Sequence, residues 1–194
     1  MITSKTVLLF LEMTQKRLFG SEELQVILNR LCCRLIESHG DFSQTVLIGL
    51  QPRGVALTEV LAGLLQKNYQ CPSVKTGALD VTFFRDDFRR RDELIKANRT
   101  ELHTPIEGKK IVLIDDVLYT GRTLRSALDA LQAFGRPSKT ELLVLIDRRF
   151  SRELPIQPDY VGRHVDSMAT ERVRLDWLDN GQLDSVSLIQ GPAA

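Results

Sequence analysis

The sequence predicts an α/β domain in which a central, mostly parallel sheet is flanked by helices. Three short apolar runs, at residues 45–50, 111–114 and 141–146, have the nearly continuous hydrophobicity of parallel strands buried on both faces. After the first two runs, apolar residues recur at helical spacing. Strands that alternate with helices favour a parallel sheet. The 194 residues suffice for one such domain, so we expect a single domain over residues 1–194.

The composition is that of an ordinary soluble globular protein, with 43% hydrophobic and 26% charged residues. The formal net charge of +1 argues against a protein that holds nucleic acid through its overall charge, so such binding would need a local patch. Cys32, Cys33 and Cys71 lack metal-ligand spacing and indicate reduced thiols in a cytoplasmic protein. The apolar run at residues 7–11 meets Glu12 and is too short to cross a membrane, so we expect a strand there rather than a signal peptide or a membrane segment.

The first helix is predicted to begin at Ser21, a capping residue followed by two acids, and to end near Gly40. Its apolar stripe consists of Leu24, Ile27, Leu28, Leu31 and Leu35.

A QPRG turn at residues 51–54 separates the strand at residues 45–50 from a second helical pattern. Gly54 permits unusual backbone angles, and Arg53 lies at a helix N-terminus, where it can meet an anion. The alternative is a plain connecting turn.

A strand is predicted within residues 74–84, ending in VTFF. Residues 85–108, RDDFRRRDELIKANRTELHTPIEG, are rich in charge and lack apolar periodicity. They form either a solvated surface loop or a cover over an active site, a common role for long loops in compact domains.

The most informative stretch is residues 109–134, KKIVLIDDVLYTGRTLRSALDALQAF. It reads as a buried strand, two adjacent acids, a loop at residues 117–123 and a helix. The helical stripe consists of Leu124, Ala127, Leu128, Leu131 and Phe134.

The loop at residues 117–123 lies at a helix N-terminus, where unpaired N–H groups and the helix dipole favour a phosphate. Asp115 and Asp116 repel each other unless a cation or hydroxyl groups bind between them. A ligand with a phosphate and a vicinal diol satisfies both parts. For the acids alone, the alternatives are a solvated turn or a helix cap.

This stretch resembles the phosphoribosyl-pyrophosphate (PRPP) signature of type I phosphoribosyltransferases, in which an apolar strand and two acids precede x-x-x-T-G-x-T. FFRDDF, FGRPS and DRRFSRELPIQPDYVGR are similar to segments of the uracil-using members, which in many bacteria also regulate pyrimidine genes by binding mRNA. The likeness covers about residues 46–189. It implies the type I fold, a flexible active-site loop at about residues 85–108, and a hood at about residues 148–194 with N-terminal contributions.

The resemblance implies that uracil and PRPP react to give UMP and pyrophosphate, with Mg²⁺ held mainly by PRPP near Asp115 and Asp116. It assigns catalysis to Asp115, Asp116 and Arg85. The implied PRPP contacts are Asp115, Asp116, Val117, Leu118, Tyr119, Thr120, Gly121, Arg122 and Thr123. The implied pyrophosphate contacts are Gln51, Pro52, Arg53, Gly54, Arg85 and Arg89, and the implied uracil contacts are Tyr160, Val161 and Gly162.

Tyr119 narrows the choice of base, because purine-salvage relatives often carry an acid at this position. A tyrosine favours a pyrimidine, and transfer to another base is the alternative.

The RNA-binding members share T-R-x-x-H on the first helix and H-R-E-L after the strand that follows the PRPP helix. The corresponding residues here are 29–33, NRLCC, and 150–154, FSREL, so the threonine and both histidines are absent. Arg30, Arg152 and Arg163 remain as candidate RNA contacts, although scattered arginines are also common on enzyme surfaces. An mRNA-binding attenuator in which catalysis is secondary or lost is thus a second hypothesis. The resemblance also implies a homodimer or a larger homo-oligomer.

Overall fold

The computed structural model describes residues 15–84, 99–168 and 170–190. A five-stranded sheet consists of β2 (Thr45–Leu50), β3 (Lys75–Leu79), β4 (Lys110–Leu118), β5 (Lys139–Arg149) and β6 (Tyr160–Asp166). All its neighbouring strands are parallel, in the order β3-β2-β4-β5-β6. A second, antiparallel sheet consists of β1 (Gln15–Phe19), β7 (Glu171–Trp177) and β8 (Leu183–Gln190), in the order β1-β8-β7. The predicted fold class is therefore confirmed, while the strand expected at residues 7–11 lies outside the described residues.

Helices cover both faces of the parallel sheet. The apolar side chains of α1 (Ser21–His39) and α2 (Arg53–Lys67) pack with Leu47, Val112 and Leu143 on one face. Those of α3 (Arg122–Leu131) pack with alternate residues of the same strands, such as Ile48 and Leu113, on the other face. This alternation explains why the strands are apolar at nearly every position. No helix in the described part of the chain is long and apolar enough to span a membrane.

Two predictions about apolar segments need correction. Leu128 of α3 is exposed, and so is Phe134, which lies beyond the end of the helix. Ser126 and Ala130 face the core instead. The chain enters a 3₁₀ turn at Gln132–Phe134, so the predicted stripe does not continue past Leu131.

The predicted strand ending in VTFF is also shorter than expected. β3 ends at Leu79, and Thr82–Phe84 forms a 3₁₀ turn. The Asp80 carboxylate accepts hydrogen bonds from the backbone N–H and the hydroxyl of Thr82, at 2.8 and 2.5 Å, which turns the chain out of the sheet.

The end of the charged segment is attached to the sheet. Glu101 and Ala78 exchange backbone hydrogen bonds of 2.8 and 2.9 Å, and Ile106 is buried. Residues 99–108 are thus part of the folded body rather than of an open loop, and residues 85–98 lie outside the described ranges.

Candidate active site

The QPRG turn and the acidic pair, Asp115 and Asp116, meet at the carboxyl ends of two neighbouring strands. β2 leads into the turn and β4 contains the acids, with Gly49 paired with Ile114. The Gln51–Pro52 peptide bond is cis. A Cβ atom on Gly54 would lie 2.2 Å from the Ile114 carbonyl oxygen, so only glycine permits this approach of the two segments.

One oxygen of the acidic pair is buried without a hydrogen bond. The Asp116 N–H donates to Asp115 Oδ1 at 2.9 Å, and the Val117 N–H donates to Asp116 Oδ1 at 2.8 Å. Asp116 Oδ2 has no hydrogen-bond partner within the described ranges. The Arg53 guanidinium is 3.7 Å away and is itself largely exposed. Buried polar atoms are normally hydrogen-bonded, so an unpaired one points to a missing ligand.

The electrostatics of the pair agree with this interpretation. Burial raises the pKa of Asp115 well above its usual value, and the neighbouring charge of Asp116 raises it further. Burial also raises the pKa of Asp116, while the positive charge of Arg53 opposes that rise. The pair is therefore prepared for a ligand that supplies hydroxyl donors or positive charge.

A cavity of about 260 Å³ lies beside the acids at the start of α3. The predicted phosphate loop, residues 117–123, lines it together with Asp115. Gly121 caps α3 with a positive φ of 94°, a conformation that favours glycine. The cavity is therefore lined by the predicted PRPP-binding residues except Asp116, which faces Arg53 instead.

Residues 152–154 hold the phosphate loop from outside. Arg152 Nη1 donates to the Tyr119 carbonyl at 2.6 Å, and its Nη2 forms an ion pair with Asp147. The N–H groups of Glu153 and Leu154 donate to the Thr120 carbonyl at 3.0 and 3.2 Å.

Arg148, at the end of β5, is a residue that the sequence reasoning did not assign. Its guanidinium carbon lies 4.0 Å from the centre of the Tyr119 ring. Nε donates to Ser167 Oγ at 2.8 Å, and Nη2 donates to the carbonyls of Met168 and Glu171 at 3.0 and 2.8 Å. The side chain is buried, which lowers the pKa of Arg148. The available signal was its place after an apolar strand, at the same edge as the acids.

The structure does not bring Tyr160, Val161 and Gly162 to the acidic pair. β5 lies between their strand, β6, and β4. The buried Tyr160 hydroxyl contacts His39 Nε2 at 3.1 Å and donates to Glu141 at 3.3 Å. The carbonyls of Val161 and Gly162 accept hydrogen bonds from Arg30. These groups already have partners within the protein.

The three candidate RNA contacts lie together. Arg30, Arg152 and Arg163 line one groove of about 1110 Å³, which we call the arginine groove, and Arg34 and Arg149 line it as well. Arg85 and Arg89 fall outside the described residues.

In the described part of the chain, no cluster of three or more acidic, histidine or cysteine side chains could hold a metal ion. The acidic pair offers only two carboxylates. A metal bound here would need additional oxygen ligands from another source, such as phosphates.

Comparison with known proteins agrees with the fold and with the strand, acid and loop arrangement. A family model described as "Phosphoribosyl transferase domain" matches residues 15–179. The hypoxanthine phosphoribosyltransferase of Trypanosoma cruzi superimposes with a TM-score of 0.69 at 22% identity, covering 92% of each chain. That of Staphylococcus aureus superimposes with a TM-score of 0.61 at 20% identity, covering 82% of each chain. At these identities, the structural likeness shows the fold.

Sequence relatives give a finer assignment. The chain is 38% identical to the bifunctional protein PyrR of Chloroflexus aurantiacus, over 92% of this chain and 97% of the relative. It is 41% identical to that of Synechocystis sp., over 90% and 96%, and 46% identical to that of Acetivibrio thermocellus, over 76% and 79%. The chain therefore belongs to the phosphoribosyltransferase family and, within it, to the PyrR group.

Proposed function

We propose that this protein transfers the phosphoribosyl group of PRPP to uracil, giving UMP and pyrophosphate. The observation that carries the proposal is the buried Asp116 Oδ2, which lacks a hydrogen bond within the described ranges. Its chain neighbours, Asp115 and Val117, line the cavity at the start of α3. Membership of the PyrR group supports it.

The reaction rests on positioning and on charge. The phosphate loop binds the 5-phosphate of PRPP through N–H groups at the start of α3. Asp115 and Asp116 accept hydrogen bonds from the ribose hydroxyls, which pairs the free Oδ2. Their negative charge then stabilises the positive charge that develops on the ribose as pyrophosphate departs.

Pyrophosphate departs toward the QPRG turn, where Gln51, Pro52, Arg53 and Gly54 receive it together with Arg85 and Arg89. Mg²⁺, when bound through PRPP beside the acidic pair, neutralises part of the pyrophosphate charge. The two carboxylates suit an ion that takes most of its oxygen ligands from the substrate.

We place the base against Tyr119 and Arg148 rather than against Tyr160, Val161 and Gly162. Nη2 and Nε of Arg148 already donate within the protein. Nη1 has no hydrogen-bond partner in the described part of the chain, so we propose that it donates to a uracil carbonyl. The Tyr119 ring, partly exposed at the rim of the cavity, offers an aromatic face for stacking.

The test is UMP formation from uracil and PRPP with Mg²⁺. Asp116→Asn keeps the size of the side chain but removes its charge, so we expect kcat/KM to fall by roughly 10²-fold or more. Asp129→Asn is the matched control, because Asp129 lies on the exposed face of α3 and pairs only with Arg125 in the described structure.

Two results would contradict the proposal: no UMP from the unaltered protein, or full activity in Asp116→Asn. A panel of other bases, including hypoxanthine, tests the preference for a pyrimidine.

A second function, UMP-responsive binding of pyrimidine-operon mRNA, is favoured by the arginine groove. Five arginines line it, against two acids, Asp147 and Asp159, so the groove is locally cationic although the whole chain is nearly neutral. Arg163 stacks on Phe19 at 5.5 Å and forms no ion pair with a described residue, which leaves its charge available for a phosphate.

Filter binding to the leader RNA of the organism's own pyrimidine genes, with and without UMP, tests this function. We expect UMP to strengthen binding and Arg163→Gln to weaken it, with a steep loss of affinity between about 50 and 200 mM salt. Binding that does not change with UMP or salt would contradict this function.

The cysteines, all free thiols, support our proposal of a cytoplasmic location. The family resemblance supports a homodimer or a larger homo-oligomer, which light scattering can test.

A further inference from the structure

The side chain of Arg152 contacts backbone atoms of the phosphate loop and does not line the cavity at the start of α3. Nη1 donates to the Tyr119 carbonyl at 2.6 Å, while Nη2 pairs with Asp147, a buried acid at the end of β5. Asp147 is held in turn by His164 Nδ1 at 3.1 Å. The guanidinium thus joins the phosphate loop to the sheet, although the side chain also lines the arginine groove.

The next two residues hold the next carbonyl of the loop. The N–H groups of Glu153 and Leu154 both donate to the Thr120 carbonyl. The Glu153 carboxylate also accepts from Arg122 Nε at 2.8 Å, at the first residue of α3. Two consecutive carbonyls of the phosphate loop are therefore fixed by one short segment, residues 152–154.

The direction of these carbonyls determines the direction of the N–H groups. In a planar trans peptide, the C=O of one residue and the N–H of the next point in opposite directions. Because the carbonyls of Tyr119 and Thr120 point to residues 152–154, the N–H groups of Thr120 and Gly121 point away from that segment. N–H groups on that side can bind a phosphate, whereas a carbonyl turned toward the phosphate would repel it.

We infer that Arg152 is a positioning residue, which fixes the phosphate loop with its N–H groups toward the 5-phosphate without touching the substrate. The inference rests on the proposed function, because it assigns the 5-phosphate to this loop. It also gives Arg152 a different role from Arg163, because the positive charge of Arg152 is already paired with Asp147.

The test measures binding without turnover. Isothermal titration of ribose 5-phosphate reports on the phosphate loop, and titration of pyrophosphate with Mg²⁺ reports on the QPRG turn. In Arg152→Gln we expect ribose 5-phosphate to bind about tenfold more weakly or worse, the effect of losing a hydrogen bond to a charged group, with pyrophosphate binding unchanged. Arg152→Lys should give an intermediate loss, because one ammonium group cannot replace the forked guanidinium.

Arg174→Gln is the matched control. Arg174 pairs with Asp176 on β7, away from the loop, and both affinities should stay unchanged. Undiminished ribose 5-phosphate binding in Arg152→Gln would overturn the inference, as would an equal loss for both ligands. If Arg152→Gln does not fold, the same two outcomes in Arg152→Lys decide. A protein that binds ribose 5-phosphate but forms no UMP contradicts the proposed function and leaves this comparison valid.

Discussion

Asp115 and Asp116 are placed where ionised carboxylates are unfavourable until a ligand arrives. Burial raises both pKa values, and the positive charge of Arg53 opposes the rise at each acid without cancelling it. A group whose pKa is raised on folding keeps its proton more readily in the folded state. The folded state therefore loses stability as the pH rises from the unfolded pKa, near 4, through the raised folded value.

Asp115→Asn should consequently stabilise the ligand-free protein at pH 7 while impairing catalysis. The amide oxygen can still accept from the Asp116 N–H, and the charge is gone. We expect a gain on the order of 1–3 kcal/mol, within the usual range of a single substitution, seen as a melting temperature several degrees higher. The gain should vanish below about pH 4, where the acid is protonated in both states.

Thermal unfolding of Asp115→Asn and the unaltered protein from about pH 3 to 8 measures this difference. Lower stability of the variant at pH 7, or a gain that does not change with pH, would contradict the electrostatic explanation. Saturating PRPP should reverse the order of the two melting temperatures, because the ligand stabilises only the protein that binds it tightly.

At the scale of elements, α2 can lie close to β4 because a glycine stands where the two elements meet. Gly54 and Gly63 both lie in α2, and they differ in their surroundings. A Cβ on Gly54 would meet the Ile114 backbone at 2.2 Å, whereas a Cβ on Gly63 would meet nothing within 4 Å.

The two glycines therefore give opposite predictions on substitution by alanine. Gly54→Ala should cost about 1–3 kcal/mol, because the helix must move off the strand, and should weaken pyrophosphate binding at the QPRG turn. Gly63→Ala should gain up to about 1 kcal/mol, since alanine has the higher helix propensity. Urea unfolding midpoints, compared at equal slopes, measure both. Similar effects of the two substitutions would show that the close approach does not matter.

The elements that the sequence specified best are those with a strong local pattern. Continuous apolar runs marked β2, β4 and β5, and the apolar stripe marked α1. The predicted cap was wrong, because Gly20 is the N-cap and Ser21 is the first residue of the helix. β3 was placed too far along the chain because VTFF has high strand propensity, whereas Asp80 turns the backbone before it. Local side-chain bonds of this kind override propensity and leave only a weak trace in sequence.

Over the whole molecule, the contacts within one strand and loop were predictable, and the contacts between distant segments were not. The acids and the phosphate loop are contiguous, so their chemistry could be inferred directly. Arg148 reaches Tyr119 only because β5 lies beside β4, and Arg152 reaches the loop only because the chain folds back after β5. The uracil contacts expected at Tyr160, Val161 and Gly162 came from the resemblance, which does not show that these groups already have partners in this protein.

The order of strands in the antiparallel sheet has a consequence for synthesis. β8 is the middle strand, and both of its partners, β1 and β7, precede it in the chain. Among the described strands, β1 has no partner in this sheet until β8 leaves the ribosome, whereas the five described strands of the parallel sheet are complete by residue 166. The nascent chain can thus form its parallel sheet while β1 still exposes an unpaired edge, and such edges favour pairing with other chains.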